Sequence, residues 1–294
     1  MILEVRDPRL PGVVGDAVAF ERLATGFLFT EGPVWDAGRG ELLFSDIPGD
    51  RILRWRAADG IATFRAPSFK ANGLAFDRAG RLLACEHATS RVERLEADGR
   101  WTVIASHHGE HELNSPNDIV VHRDGGIYFT DPTYGRARHY GIKRPLPLPF
   151  RGVYRAEPDG TRTTLLADDF AQPNGLCFSS DFRRLFVNDT DRKHIRVFEV
   201  DGDGLLSGGG VWAETRGEGA GAPDGMKIDA AENLWCCGPG GIHVFSPDAT
   251  CLGVIRVPEY PANFTWGEGD LRSLFVTAST SLYRIRTAVA GRGF

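Results

Sequence analysis

A short polar opener set against glycine returns at the same place in successive copies of one repeat. The instances are Asn72-Gly73, Pro116-Asn117-Asp118, Pro173-Asn174-Gly175 and Pro223-Asp224-Gly225, with Glu31-Gly32-Pro33 heading the series. Each opens a strand-like run: EGPVWD, NGLAFD, PNDIVVH, PNGLCFS and PDGMKID. A turn follows, such as Asp124-Gly125-Gly126, then a second strand (GELLFSD, GRLLACE, GGIYFTD, RRLFVND, NLWCCG, RSLFVTA) and a third (RILRW, RVERL, GVYRA, HIRVFEV, GIHVF, SLYRI). Period-two alternation of aromatic and β-branched residues predicts strands. The Asp-Gly pairs that end the units, Asp59-Gly60, Asp98-Gly99, Asp159-Gly160 and Asp201-Gly202, predict hairpin turns. The stretches TTLLADD, WTVIAS and CLGVIRV supply a fourth strand.

Aligned on their openers, with Asn263 taken as the last, the units number six and stand roughly 40 to 50 residues apart, one interval being lengthened by an insert. Four strands at that period are the size of a propeller blade. The expectation is therefore an all-β, six-bladed β-propeller spanning residues 1–294 as a single domain. The segment AVAFERLATG, from Ala17, is expected to add a strand that closes the ring with the last blade. Glycine is about 12% of the chain against a usual ~7%, in keeping with many tight turns. No helical stretch of note is expected. The insert Arg136–Phe150 carries Pro145, Pro147 and Pro149, which predict a stiff extended loop. Such a loop is either a lid or a surface insert.

Thirty-four Lys+Arg against 39 Asp+Glu leave a net charge of −5, which gives no electrostatic support for nucleic-acid binding. The N-terminal stretch has charges at Glu4, Arg6, Asp7 and Arg9 and no apolar core, unlike a signal peptide. No run approaches the ~18 apolar residues that would cross a bilayer. The expectation is a cytoplasmic protein, monomer or homodimer, without a membrane partner. Five cysteines, an odd number, predict reduced thiols; adjacent Cys236 and Cys237 should point to opposite faces of a strand and be buried.

In a propeller the innermost strands line a central channel, so Glu31, Asn117, Asn174 and Asp224 would converge from different blades. Two carboxylates and two amide carbonyls are a hard, all-oxygen set suited to Ca²⁺, Mg²⁺ or Mn²⁺ and tolerant of Zn²⁺. Asn-Gly and Asp-Gly also serve as plain turn residues. Glutamate has no such turn chemistry, so Glu31 favours the site reading.

The segments TEGPVW (30–35), NGLAFDRAGRLLACEH (72–87), LNSPNDIVVHRDGGIYFTDPTYG (113–135), QPNGLCFS (172–179), HIRVFEV (194–200), PDGMKID (223–229) and TASTSLYR (277–284) resemble the gluconolactonase and regucalcin (senescence-marker) family of six-bladed lactonases, its bacterial gluconolactonase-like branch above all. The resemblance implies a metal-dependent sugar-lactone hydrolase acting on an aldonolactone such as gluconolactone. It implies one divalent cation, calcium first, with Mg, Mn, Zn or Fe also compatible. Glu31, Asn174 and Asp224 match the family's metal ligands, Asn117 a further residue touching metal or substrate, and Asp224 also its catalytic base. The metal would polarise the lactone carbonyl while Asp224 takes a proton from water. Asn117, Asn72, His87 and Asp131 would orient substrate hydroxyls. Some family members carry an arginine just before the residue matching Asn117, whereas this chain has Glu112, Asn114 and Ser115 there. Two other readings stay open: another lactone or ester hydrolase on the same propeller, and a non-enzymatic propeller that binds a metal or a partner protein.

Competing motifs are weaker. His107, His108 and His111 fall in a connection between blades and read as a solvated loop. No G-x-S-x-G elbow or P-loop pattern occurs. The glycine-rich RGEGAGAPDG leads into a strand, unlike a dinucleotide loop. Asp201-Gly202-Asp203-Gly204 begins like a calcium loop, but Leu205 breaks the ligand pattern.

Overall fold

The computed structural model describes residues 2–16 and 18–292. The alternating segments form six antiparallel sheets of four or five strands, arranged as the blades of a six-bladed propeller. The innermost strands are Thr30–Asp36, Ala71–Phe76, Ile119–Val121, Pro173–Phe178, Met226–Ile228 and Pro261–Gly267. Each packs against the inner strand of the next blade, and the last returns to the first.

Closure of the ring follows the expectation. Strand Glu21–Thr25 pairs with Ser281–Arg286, Glu21 opposite Arg284 and Thr25 opposite Ser281, and so supplies the outer strand of the sixth blade. Ala17, at the head of the segment assigned to this role, lies outside the described residues. Two further N-terminal features were not legible. Leu3–Val5 adds a fifth strand to the fifth blade beside Cys251–Ile255. The helical turn Leu10–Val14 buries Leu10 and Val14 against Trp235, Ile255, Phe264 and Trp266. Pro11 suits the first turn, but Gly12 and a length of five residues give little helical stability, so this turn depends on its buried contacts.

Apolar side chains fill the wedges between neighbouring blades. Cys236 packs with Cys177, Phe186 and Phe245 on one face of its strand, and Cys237 with Trp235, Ile242 and Phe264 on the other. All five cysteines are free, and only Cys251 is not fully buried. Segment 107–112 forms a small hairpin, His107–His108 against His111–Glu112, rather than an unstructured loop. Asp201 caps its own turn by accepting the Asp203 and Leu205 amides at 2.9 Å each, as a blade turn should. Among the described residues no helix is long and apolar enough to cross a membrane.

The sixth blade departs from the repeat alignment. Its pairing sets Phe264 opposite Val276, as Leu176 stands opposite Val187 and Met226 opposite Cys236. The position of Asn174 and Asp224 is therefore held by Ala262. Asn263 falls one place later, where other blades carry Gly32, Gly73, Gly175 and Gly225. Those glycines let the inner strands crowd together. A Cβ on Gly32, whose φ is +54°, would lie 2.0 Å from the Asn72 carbonyl oxygen.

Gly32→Ala combines a left-handed backbone penalty with a backbone clash. It should destabilise the fold by roughly 2–4 kcal/mol, read as a lowered urea midpoint with an unchanged slope. An unaltered midpoint would mean that the inner strands are not tightly packed.

Candidate functional site

Each opener reaches the axis because the strand behind it is anchored from the adjacent strand. Asp46, Asp131 and Asp189 end the second strands of the first, third and fourth blades. Asp46 accepts the amides of Leu28 and Phe29 at 3.0 and 3.1 Å. Asp131 accepts those of Asn114 and Ser115 at 2.8 and 2.6 Å. Asp189 accepts those of Ala171 and Gln172 at 2.8 and 3.2 Å. Each acid thereby pins the loop leading into the opener. Asp131, assigned from the sequence to substrate hydroxyls, is fully buried with both oxygens used in this way. It holds the loop ahead of Asn117 instead. The recurrence of an acid at the end of the second strand was the signal for that role.

The other assigned residues do converge. Asn72 Nδ2 donates to Asn117 Oδ1 and Asn117 Nδ2 to Asn174 Oδ1, both at 2.6 Å. Asn174 Nδ2 donates to the Thr190 hydroxyl at 3.1 Å, and that hydroxyl donates to the Pro223 carbonyl at 2.7 Å. A carbonyl only accepts, so the polarity of the whole chain is fixed from this end. Asn188 Nδ2 donates to the Asp224 backbone carbonyl at 2.5 Å and lies 3.6 Å from Cys236 Sγ. Glu31 and Asp224 come within hydrogen-bonding reach of each other, and Asn174 within reach of Asp224.

Charge in this channel is unbalanced. Burial, and then the Asp118 carboxylate, pushes Glu31 up to about 7. Desolvation, then Glu31 and Asp118, pushes Asp224 well above the usual carboxylate range. Asp118 is itself raised by burial and relieved by Lys227. Among the described residues three carboxylates thus face one ammonium, and the Asp118 Oδ2 atom is buried without a hydrogen-bond partner. Among the described residues no three His, Cys, Asp or Glu side chains gather into a metal-binding group. The candidate set is instead two carboxylates, Glu31 and Asp224, with the amides of Asn174 and Asn117. Its oxygen donors, two of them carboxylates that a bound cation would hold ionised, fit one hard divalent cation. Asp118, Lys227 and Asn263 escaped the sequence reading; the one visible cue was that Asp118 and Asn263 replace the glycine of other openers.

His87 is fully buried behind this ring. Its Nδ1 lies 2.9 Å from the Tyr140 carbonyl, and its Nε2 lies 3.4 Å from Asn72 Nδ2 and 3.1 Å from Asn117 Oδ1. Burial lowers its pKa to about 4, so the ring is neutral at physiological pH. The Nδ1 proton then goes to the Tyr140 carbonyl, leaving Nε2 to accept from Asn72. Assigned from the sequence to substrate hydroxyls, His87 in fact has both nitrogens committed and ties the insert to the ring.

The insert folds across the channel mouth. Tyr140 packs edge-on to Phe29 of the first blade at 5.1 Å. Arg144 donates to the His87 carbonyl and to Ser90 Oγ, and Arg136 to the carbonyls of Leu113 and Asn114. Both guanidinium groups are thus spent on backbone carbonyls, on the Ser90 hydroxyl and, for Arg136, on Glu112. Tyr134, Tyr140 and Tyr260 have phenols raised by burial and, among nearby charges, by Asp224. They remain protonated and able to donate.

Similarity to known proteins bears on the family and the fold. Residues 29–280 match the model of the SMP-30/Gluconolactonase/LRE-like region. A gluconolactonase of Zymomonas mobilis is 33% identical over 97% of this chain and 85% of its own. A pentonolactonase of Haloferax volcanii is 28% identical over 85% of this chain and 81% of its own. The solved structure of a gluconolactonase from Xanthomonas campestris superposes with a TM-score of 0.90 at 32% identity, covering 98% of this chain and 95% of that one.

Removing the imidazole should free the insert without unfolding the blades. His87→Ala should raise the rate of proteolysis at Arg138 and Lys143 about tenfold, the worth of one buried hydrogen bond in the opening equilibrium. Cleavage at the wild-type rate would show that the insert is held by its other contacts.

Proposed function

The chain belongs to the SMP-30/gluconolactonase/LRE-like family, and we propose that it hydrolyses a sugar lactone of the aldono-1,4- or 1,5-lactone type, gluconolactone among them. The observation that carries this reading is the convergence of Glu31, Asn117, Asn174 and Asp224 from four blades onto one desolvated, electron-rich site. These four residues would hold one divalent cation, with calcium the first candidate. When bound, the cation would supply Lewis-acid polarisation of the lactone carbonyl.

The remaining chemistry falls to the protein. Asp224 acts as general base toward the attacking water. Its burial makes it a strong proton acceptor, and the cation, when bound, would keep it ionised at neutral pH. The one-way amide chain gives Asn72 and Asn117 fixed orientations, so a substrate hydroxyl meets preorganised partners. Phenols of Tyr134, Tyr140 and Tyr260 supply further donors at the mouth, taking the place of the missing arginine. The insert reduces access of bulk water.

A second reading, a lactone carrying an apolar substituent, draws on the exposed side chains of Ile142 and Leu146 in the insert and of Leu28 and Phe69 in the loops that lead into two inner strands. A substrate panel separates the two. Initial rates on aldonolactones and on alkyl-substituted lactones would be measured after chelation and after return of Ca²⁺, Mg²⁺, Mn²⁺, Zn²⁺ or Fe²⁺. Metal-restored turnover highest on aldonolactones is expected. Turnover confined to the alkyl series would select the second reading, and none on either would remove both.

Asp224→Asn should lower kcat at least about a hundredfold, the usual scale of general-base loss. Its melting temperature should hold or rise, because a carboxylate facing Glu31 is gone. Retained activity would take Asp224 out of the mechanism.

A further inference from the structure

The sixth blade contributes no oxygen to the ring, because Ala262 stands where the other blades carry Asn or an acid. Its polar residue, Asn263, lies beneath the ring and is 2% exposed. The slot that receives it is made by Gly225: a Cβ there would lie 2.1 Å from Asn263 Oδ1. The amide is held in one orientation. Asn263 Oδ1 accepts the Phe264 backbone N–H at 2.9 Å, and only an oxygen can do so. Lys227 Nζ stands 3.5 Å from the same oxygen. Asn263 Nδ2 is thereby turned toward Glu31 and donates to Glu31 Oε2 at 3.0 Å. The Gly32 amide donates to that same Oε2. One Glu31 oxygen is consequently engaged by two donors, while among the described residues no donor N–H or O–H engages the other, which is left facing Asp224.

We propose that Asn263, oriented by Phe264 and Lys227, is a positioning residue that fixes Glu31 as a one-oxygen ligand to the channel cation. This rests on the metal reading given above. Lys227 has a second part in the same layer, where it faces the buried carboxylate of Asp118. It is the one charged side chain at its strand position; other blades have Ala75, Val120, Cys177 and Thr265. A carboxylate held by neighbours that are themselves fixed keeps its ligand geometry before the ion arrives, which lowers the cost of binding.

The test uses full-length protein freed of metal by a chelator and titrated calorimetrically with Ca²⁺, wild type beside Asn263→Leu and the smaller Asn263→Ser. Leu fills the slot without a donor, and Ser keeps the polarity without the reach, so one folded variant suffices. The Ca²⁺ Kd should weaken about tenfold or more, the usual effect of losing an outer hydrogen bond to a metal ligand. The infrared carboxylate bands of the Ca²⁺-loaded variant should move toward the pattern of two-oxygen coordination, a change that mere loosening of the blade would not cause. A variant Kd within twofold of wild type, with unchanged carboxylate bands, overturns the role of Asn263 while leaving the metal reading intact. Absence of Ca²⁺ binding to the wild type overturns both.

Discussion

Like charges forced together out of water are the constraint on which the rest of this molecule turns. Glu31, Asp118 and Asp224 share one channel, Lys227 is the cation that relieves Glu31 and Asp118 among the described residues, and each carboxylate is raised by burial. Nothing about a propeller requires this. Inner strands could meet through apolar side chains, as the wedges between blades do. An arrangement that buries three carboxylates beside one ammonium resists ionisation until a divalent cation balances it. The stability given up at the centre is recovered around it, in the interblade clusters and in the N-terminal strand that closes the sixth blade.

The channel is kept narrow by what the inner strands lack. Glycine after the opener removes the Cβ that would strike the neighbouring strand. Where the glycine is replaced, by Asp118 and Asn263, a side chain enters the space below the ring and takes a charge-related role there. The insert closes the other end. Through His87 it is bonded to the same amides that form the ring, so the mouth and the site share one hydrogen-bond network.

The parts of this design that were legible in the sequence are the local ones. Strand alternation, Asp-Gly turns and the recurring opener depend on near neighbours, so the six blades and the residues Glu31, Asn72, Asn117, Asn174 and Asp224 could be read directly. Asn263 was aligned one place off because its neighbour Phe264 resembles the apolar residue that follows an opener, and only the pairing with Val276 fixes the register. Asp131 was misjudged because an acid at a strand end looks the same whether it faces a ligand or caps a loop. His87 was placed at the site, but its tie to Tyr140 spans an insert whose path no local signal records. Leu3–Val5 and Leu10–Val14 owe their structure to the fifth and sixth blades, far away in the chain.

Metal stoichiometry tests the central claim most directly. Protein stripped with a chelator, dialysed against micromolar Ca²⁺ and then analysed for bound ion should retain about one calcium per chain, held by the carboxylates and amides of the channel. Retention should vanish in Glu31→Gln combined with Asp224→Asn. A wild-type protein that holds no divalent ion, yet hydrolyses lactones at full rate, would contradict it.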